Sequence, residues 1–327
     1  MSRADSLGSF AGNVTAEKIS LSNIKLTPSS APSSPTQGDM YLDSSDNNLK
    51  IWTGSFWKNI VNASSSFSVE LLIVAGGGGG GCNYHTVATG GGGGAGGYRA
   101  FSSETLTSGT TYRVAVGGGG AGGPDINTNG TKGSDSIFHN YTSAGGGYGA
   151  TNQQNGGDGG SGGGASGPTG TSPSSYAGGI GNTPSTTPVQ GYNGGSAGRF
   201  QGGHGGGSGG AANGDQSPGP GTSSSITGTP VTRATGGSGT STAGGNNTGD
   251  GGSLGTGGAN NPGFQGGSGI VIISYPDTYP DLTSIDVSHT CRGATTVSGT
   301  TTPPSPSTSR TGYKTYEFLD GDGNISW

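Results

Sequence analysis

Charged and apolar side chains are both scarce in this sequence. Of 327 residues only 9% are charged and 26% apolar, against roughly 25% and 45–50% in average soluble domains. So little apolar content excludes the large aliphatic core of an ordinary enzyme of this length. So little charge separates the chain from typical disordered sequences, which are charge-rich. Net charge is −5 and no basic patch occurs, so a nucleic-acid partner is not expected. No run of about 18 apolar residues is present, which argues against a membrane-spanning helix. The opening MSRADSLGSF has no apolar core of a secretory signal, and assembly in a reducing cytoplasm is expected. The two cysteines, Cys82 and Cys291, are too few and too distant for a disulfide framework.

What is abundant is glycine, 77 residues, most of them between Gly76 and Gly269. Runs such as 76–81, 90–94 and 117–120 offer no side chain to a core, and each glycine loses much backbone freedom on ordering. The irregular order of GGGG, GGS, GGAGG and GGDGG lacks the strict three-residue period of collagen. Two states remain: a disordered linker, or extended threefold helices of the polyproline II kind whose N–H and C=O groups bond between neighbours. Apolar runs on both sides favour order. Phe67-Ser-Val-Glu-Leu-Leu-Ile-Val-Ala75 opens the glycine field and Gly269-Ile-Val-Ile-Ile-Ser-Tyr275 closes it. Both read as strands covered on two faces, with Leu71–Val74 expected beside Ile270–Ile273.

The remaining segments complete an all-β reading. Residues 1–35 form an entry segment with period-two apolar pairs Ile19/Leu21 and Ile24/Leu26, then a proline-rich linker. Residues 36–62 hold three short runs, Asp39–Asp43, Asn48–Trp52 and Ser55–Ile60, separated by turn residues. They read as a small antiparallel meander rich in Tyr41, Trp52, Phe56 and Trp57, too small to stand alone. Residues 67–276 form a glycine-rich β-sandwich with packed polyglycine II-like segments. Residues 277–327 form a β tail in which Leu282–Cys291 is one strand. There Tyr313–Leu319 and Asn324–Trp327 make a C-terminal hairpin around Asp320-Gly-Asp-Gly323, and Trp327 ties down its last strand.

The opening Leu71–Gly81 and Gly90–Tyr98, Thr111–Gly123, and the closing Gly266–Pro276 resemble the glycine-rich domain of bacteriophage tail fibres and adhesins. The Pro35–Asp43 segment with Leu49–Trp52 and Phe56-Trp57 is similar to a short module of phage fibres, often cyanobacterial ones. The resemblance implies a virion surface protein, assembled in the host cytoplasm and carried on the tail, whose glycine-helix loops touch the host. Partners implied are other tail or baseplate proteins, through the N-terminal segment, and a host surface polysaccharide or outer-membrane protein. The aromatic meander and the symmetry of fibres point to a homotrimer. The alternative is a purely structural head fibre or capsid decoration without receptor contact. An ice-binding or extracellular glycine-rich protein is a third class.

Chemistry-bearing constellations are few. No Gly-Lys-Ser/Thr follows a strand, so no phosphate loop is read. His85, His139, His204 and His289 are isolated and lack metal-ligand spacing. Asp320-Gly-Asp-Gly323 lacks the further ligands of a calcium loop. No nucleophile triad or carboxylate pair is recognisable, so no enzyme, cofactor or metal is expected. Recognition then falls to the longest non-glycine insertions, 169–176, 182–192 and 223–235, with Tyr176, Tyr192, Phe200, His204 and Arg233 as candidate receptor-contacting residues. The plainer alternative is that these aromatics cover the flanks of the glycine helices.

Overall fold

A computed structural model describes residues 27–45, 48–59, 66–83, 89–168, 176–255, 258, 260–286, 288–292 and 303–327. The expected pairing of apolar residues at 19–26 lies outside them. The chain divides into two compact units, Met1–Ala63 and Ser64–Trp327. Among the described residues it has no helix and is all strand and extended chain, the expected all-β class.

In the first unit β1 (Met40–Leu42), β2 (Leu49–Trp52) and β3 (Trp57–Asn59) form an antiparallel meander in that order. Gly54, at φ +98°, makes the turn between β2 and β3, a conformation that favours glycine. One face packs on itself: Trp57 lies 4.6 Å from the Tyr41 ring and 5.3 Å from Trp52. On the same face the Asp43 carboxylate pairs with Lys50 and accepts bonds from Ser45 and the Tyr41 hydroxyl. The Lys50 ammonium, then Ser45 and Tyr41, hold that carboxyl far below the usual range.

In the second unit the strands are β4 (Ser66–Val74), β5 (Tyr98–Thr107), β6 (Thr111–Ala115), β7 (Ser136–Phe138), β8 (Tyr141–Ser143), β9 (Thr222–Ser224), β10 (Val231–Arg233), β11 (Ile270–Pro276), β12 (Ser284–Ile285), β13 (Thr290–Cys291), β14 (Tyr313–Asp320) and β15 (Asp322–Ser326). They build two five-stranded antiparallel sheets, β13-β14-β11-β4-β5 and β12-β15-β6-β7-β8, and a separate β9–β10 ribbon. The expected central pair is present: Ile270 faces Val74, Val271 faces Ile73, Ile272 faces Leu72 and Ile273 faces Leu71. Alternation sends their side chains both ways. Leu71, Ile73, Val271 and Ile273 meet Tyr112, Val114, Phe138, Ile325 and Trp327 from the second sheet. Leu72, Val74, Ile270 and Ile272 pack with Tyr98, Ala95, Ile226 and Ala234 on the other side. Two-sided cover is why both strands read as unbroken apolar runs. The ribbon that brings Ile226 was not legible in the sequence, since 222–233 carries almost no apolar signal.

The C-terminal hairpin is corrected. β14 and β15 do not pair with each other. β14 pairs with β11, and β15 pairs with β6, so the turn between them is a corner from one sheet to the other. Gly321, at φ +104°, makes that corner. The change buries Tyr316 and Phe318 in one sheet and Ile325 and Trp327 under the other, which a two-stranded hairpin cannot do. Likewise 282–291 is two short strands in different sheets rather than one.

Between the strands the glycine field forms a bundle of extended rods joined by backbone hydrogen bonds. Residues 75, 78 and 81 donate to 97, 94 and 91; residues 76 and 79 donate to 134 and 131; residues 77 and 80 donate to 267 and 264. In return 76 and 79 accept from 146 and 149, 77 and 80 from 120 and 123, and 78 and 81 from 252 and 255. The partner changes at each residue and repeats every third, the period of polyglycine II. Rod 76–81 is thereby ringed by six others. Rod 91–97 has the same arrangement, bonded to 144–150, 203–206, 249–252, 75–81, 161–164 and 237.

Glycine is required here by space. A Cβ on any of residues 76 to 81 would stand closer than 3.0 Å to a neighbouring rod's carbonyl oxygen. The hydrogen in its place points at that oxygen, as in a weak Cα–H···O contact worth about 0.5–1 kcal/mol. One N–H···O bond contributes about 0.5–1.5 kcal/mol, while ordering a residue costs about 1–2 kcal/mol. These magnitudes nearly cancel, so the rods need the sandwich that fixes their ends.

Candidate functional site

The rods leave the strands at one end and turn at the other. Rods 75–83 and 117–123 run away from β4 and β6, and 91–97 and 130–135 return into β5 and β7. The turns at 124–129, 151–155 and 198–201 therefore lie together at the end opposite the sandwich, hereafter the loop end. Hydrogen bonds join these turns in sequence. Asn129 Nδ2 donates to Gln154 Oε1 (2.9 Å), and its Oδ1 accepts from the Thr151 N–H (2.7 Å). The Tyr176 hydroxyl donates to Gln153 Oε1 (3.4 Å), and the Tyr176 carbonyl accepts from the Ala197 N–H. Gly198 and Gln201 then bridge across Arg199 and Phe200. The result is a strip of amides leading to two aromatic rings and one guanidinium.

Three of the nine left-handed non-glycine residues among those described lie at this end. Asn152 (φ +49°), Gln153 (+58°) and Phe200 (+64°) are left-handed. Asparagine tolerates this region; a phenylalanine there is an outlier. Glycine, so common in this chain, would take that turn without strain, yet Phe200 occupies it with the Arg199 guanidinium 5.0 Å from its ring centre. Strain of this kind costs on the order of 1–3 kcal/mol and concentrates at binding sites.

The five candidates from the sequence do not converge. Tyr176, half-buried, and Phe200 lie at the loop end. Tyr192 lies near the opposite end of rod 191–197, bonded to Gly162 and Gly207. It is exposed, as are Ile180 and Val189 in the same stretch. The 182–190 turn between them sits beside the sheets: Gln190 Oε1 accepts from the Ala144 N–H, and Arg99 donates to the Thr187 carbonyl. His204 is held within rod 202–207, its N–H bonded to the Gly214 carbonyl. Burial lowers its pKa, opposed by the backbone and carboxylate of Asp215, so the imidazole is neutral at neutral pH.

Arg233 is corrected. It is 4% exposed on β10, beneath the bundle, and cannot meet a receptor. Burial lowers its pKa against the pull of Glu317. Its insertion, 223–235, supplies the ribbon under the first sheet rather than a loop. Residues 169–175 and His85 lie outside the described residues. The reading missed the amides Asn152 to Asn155 and Asn129. Their signal was Asn-Gln-Gln-Asn, a dense run of amides inside the glycine field.

Among the described residues no three His, Cys, Asp or Glu side chains lie together as metal ligands. Cys82 and Cys291 are free and buried, and burial raises both thiols, Cys291 to about 12.

The profile of the glycine-rich domain family matches residues 53–276. The chain belongs to that family. The matched stretch of this glycine-rich domain ends where β11 ends. It omits β14 and β15, although β14 pairs with β11 and β15 with β6. A comparison with curated proteins finds none that matches the chain.

Proposed function

We propose that this glycine-rich protein is a virion protein of a tailed bacteriophage, a tail fibre or adhesin that contacts the host surface through its loop end. One observation carries the reading: a hydrogen-bonded strip of amides, with Tyr176, Arg199 and Phe200, is gathered at the tips of rods whose inner members are held by backbone alone. Rods bonded on six sides form a stiff support, and turns at their tips vary without disturbing the rod contacts. Amides and half-buried aromatic rings bind sugar hydroxyls and ring faces, or an outer-membrane protein loop. The fibre-like segment at 35–57 supports attachment of the first unit to the virion, and a homotrimer is the assembly proposed.

The test is adsorption of virions carrying Tyr176→Ala with Phe200→Ala. Assembly should be unchanged and adsorption should fall at least about tenfold, equivalent to 1.4 kcal/mol of lost contact. Unchanged adsorption would remove the loop end from recognition. Immunogold label on the head instead of the tail would favour a structural head fibre or capsid decoration.

A further inference from the structure

Four asparagines in the chain are followed directly by glycine: Asn129, Asn155, Asn193 and Asn213. Glycine has no Cβ, so its nitrogen is unshielded toward the amide of the residue before it. In three of the four pairs both reacting groups are held. The Asn129 Oδ1 accepts from the Thr151 N–H (2.7 Å), and the Gly130 N–H donates to the Gly149 carbonyl (3.1 Å). The Asn155 Oδ1 accepts from the Ala177 N–H (2.9 Å), and the Gly156 N–H donates to the Ala177 carbonyl (3.0 Å). The Asn193 Oδ1 accepts from the Gly181 N–H (2.9 Å), and the Gly194 N–H donates to the Gly179 carbonyl (2.9 Å). The fourth pair differs. Asn213 is exposed, and its side chain is tied only by Nδ2 to Oε1 of the equally exposed Gln216 (3.2 Å). Among the described residues neither the Asn213 Oδ1 nor the Gly214 N–H has a hydrogen-bond partner. Gly214, at φ +56°, lies in the open turn closed by the Asn213–Ser217 bridge, where the nearest atom to an added Cβ is 3.7 Å away.

We infer that Asn213-Gly214 is a site of spontaneous covalent modification, at which the asparagine deamidates through a succinimide. The Gly214 nitrogen gives its proton to hydroxide and attacks the Asn213 Cγ. A C–N bond forms, the Cγ–Nδ2 bond breaks, and Nδ2 leaves as ammonia with a proton from water. A second water then opens the five-membered ring at either carbonyl, leaving aspartate or isoaspartate. Nothing is oxidised or reduced. Either product puts a carboxylate where a neutral amide stood. Isoaspartate also lengthens the main chain by one carbon, between the Ala212 N–H bonded to the Asn193 carbonyl (3.1 Å) and the Gly214 carbonyl bonded to the His204 N–H (2.9 Å). At Asn129, Asn155 and Asn193 the same step must first break the bond of the glycine N–H and then turn an amide fixed through its oxygen. Both requirements slow it, because it then waits on local opening of the rods. The inference does not depend on host contact.

The test holds the full chain in warm, mildly alkaline buffer and follows the mass gain of amide-to-acid conversion at each asparagine by peptide mapping. In the folded chain Asn213 should convert at least about tenfold faster than each of the other three, the ratio that about 1.4 kcal/mol of lost hydrogen bonding gives. In the chain unfolded by urea all four keep their glycine neighbour and lose their bonds, and the four rates should fall within about threefold of one another. Asn213→Gln, a change in an exposed turn, should remove the leading acidic species on isoelectric focusing. Equal rates at the four sites in the folded chain, a folded Asn213 that stays an amide, or the same preference for Asn213 in urea would overturn the inference.

Discussion

The sandwich and the glycine bundle lie in one compact unit but are held by opposite means. In the sandwich, side chains make the contacts: Ile273, Phe318, Ile325 and Trp327 interlock between sheets. In the bundle, few side chains larger than alanine or serine enter and the backbone makes the contacts, with inner peptides bonded to two neighbours. The sandwich therefore tolerates small losses of volume, at a graded cost. The bundle tolerates no added atom where rods touch.

The largest expected effect breaks that comparison directly. Gly78→Ala or Gly93→Ala places a methyl against the backbone of Gly147 or Gly78, where no rotamer offers escape. Such a change should cost more than about 4 kcal/mol, the range reserved for disrupted cores and backbone strain, and should abolish hydrogen-exchange protection across the rods. Gly118→Ala is the control. Nothing lies within 4 Å of its added Cβ, and it should shift stability by no more than about 0.5–1 kcal/mol in either direction. Equal losses at Gly78 and Gly118 would mean that space at the rod contacts is not what makes glycine necessary.

Ile273→Ala in the sandwich should cost about 2–5 kcal/mol, as for other buried aliphatics cut to alanine. Because the rods depend on anchored ends, thermal unfolding should remain one transition. Two separate transitions would show that the bundle stands by itself.

A smaller effect follows from His204. Its folded pKa lies below the unfolded value of about 6.5, so the unfolded chain binds the extra proton first. Stability is then full above about pH 6.5 and falls as pH drops toward the folded value. His204→Gln should flatten the stability profile between pH 7 and 5, read by chemical denaturation. Loss confined to pH below about 4 in both proteins would assign the acid sensitivity to carboxylates such as Asp43 instead.

The smallest change sharpens the comparison at the loop end. Phe200→Gly relieves a left-handed phenylalanine but frees the unfolded chain, so its net effect on stability should lie within about 1 kcal/mol of zero. Adsorption should nevertheless fall. A clear loss of stability would make Phe200 a structural cover rather than a contact.

The all-β class, the meander, and the pairing of 71–74 with 270–273 follow from local pattern, because period-two alternation and unbroken apolar runs are written in neighbouring residues. The glycine runs likewise determined that backbone must replace side chains. What glycine could not encode is which rod lies beside which: Gly77 and Gly80 are chemically identical to Gly76 and Gly79, yet they bond to 267 and 264 instead of 134 and 131. Only the anchoring strands settle that register. The same limit separated the candidate residues. Tyr176 and Tyr192 are close in sequence, but a rod between them carries one to the loop end and the other toward the sheets. Arg233 looked like an exposed loop cation and is buried under the first sheet. The corner at Gly321 was equally hidden, since the turn residues of a hairpin and of a sheet-to-sheet corner are the same. The choice lay in how much apolar surface Phe318 and Trp327 bury when β14 and β15 join different sheets, and that is a property of the assembled fold.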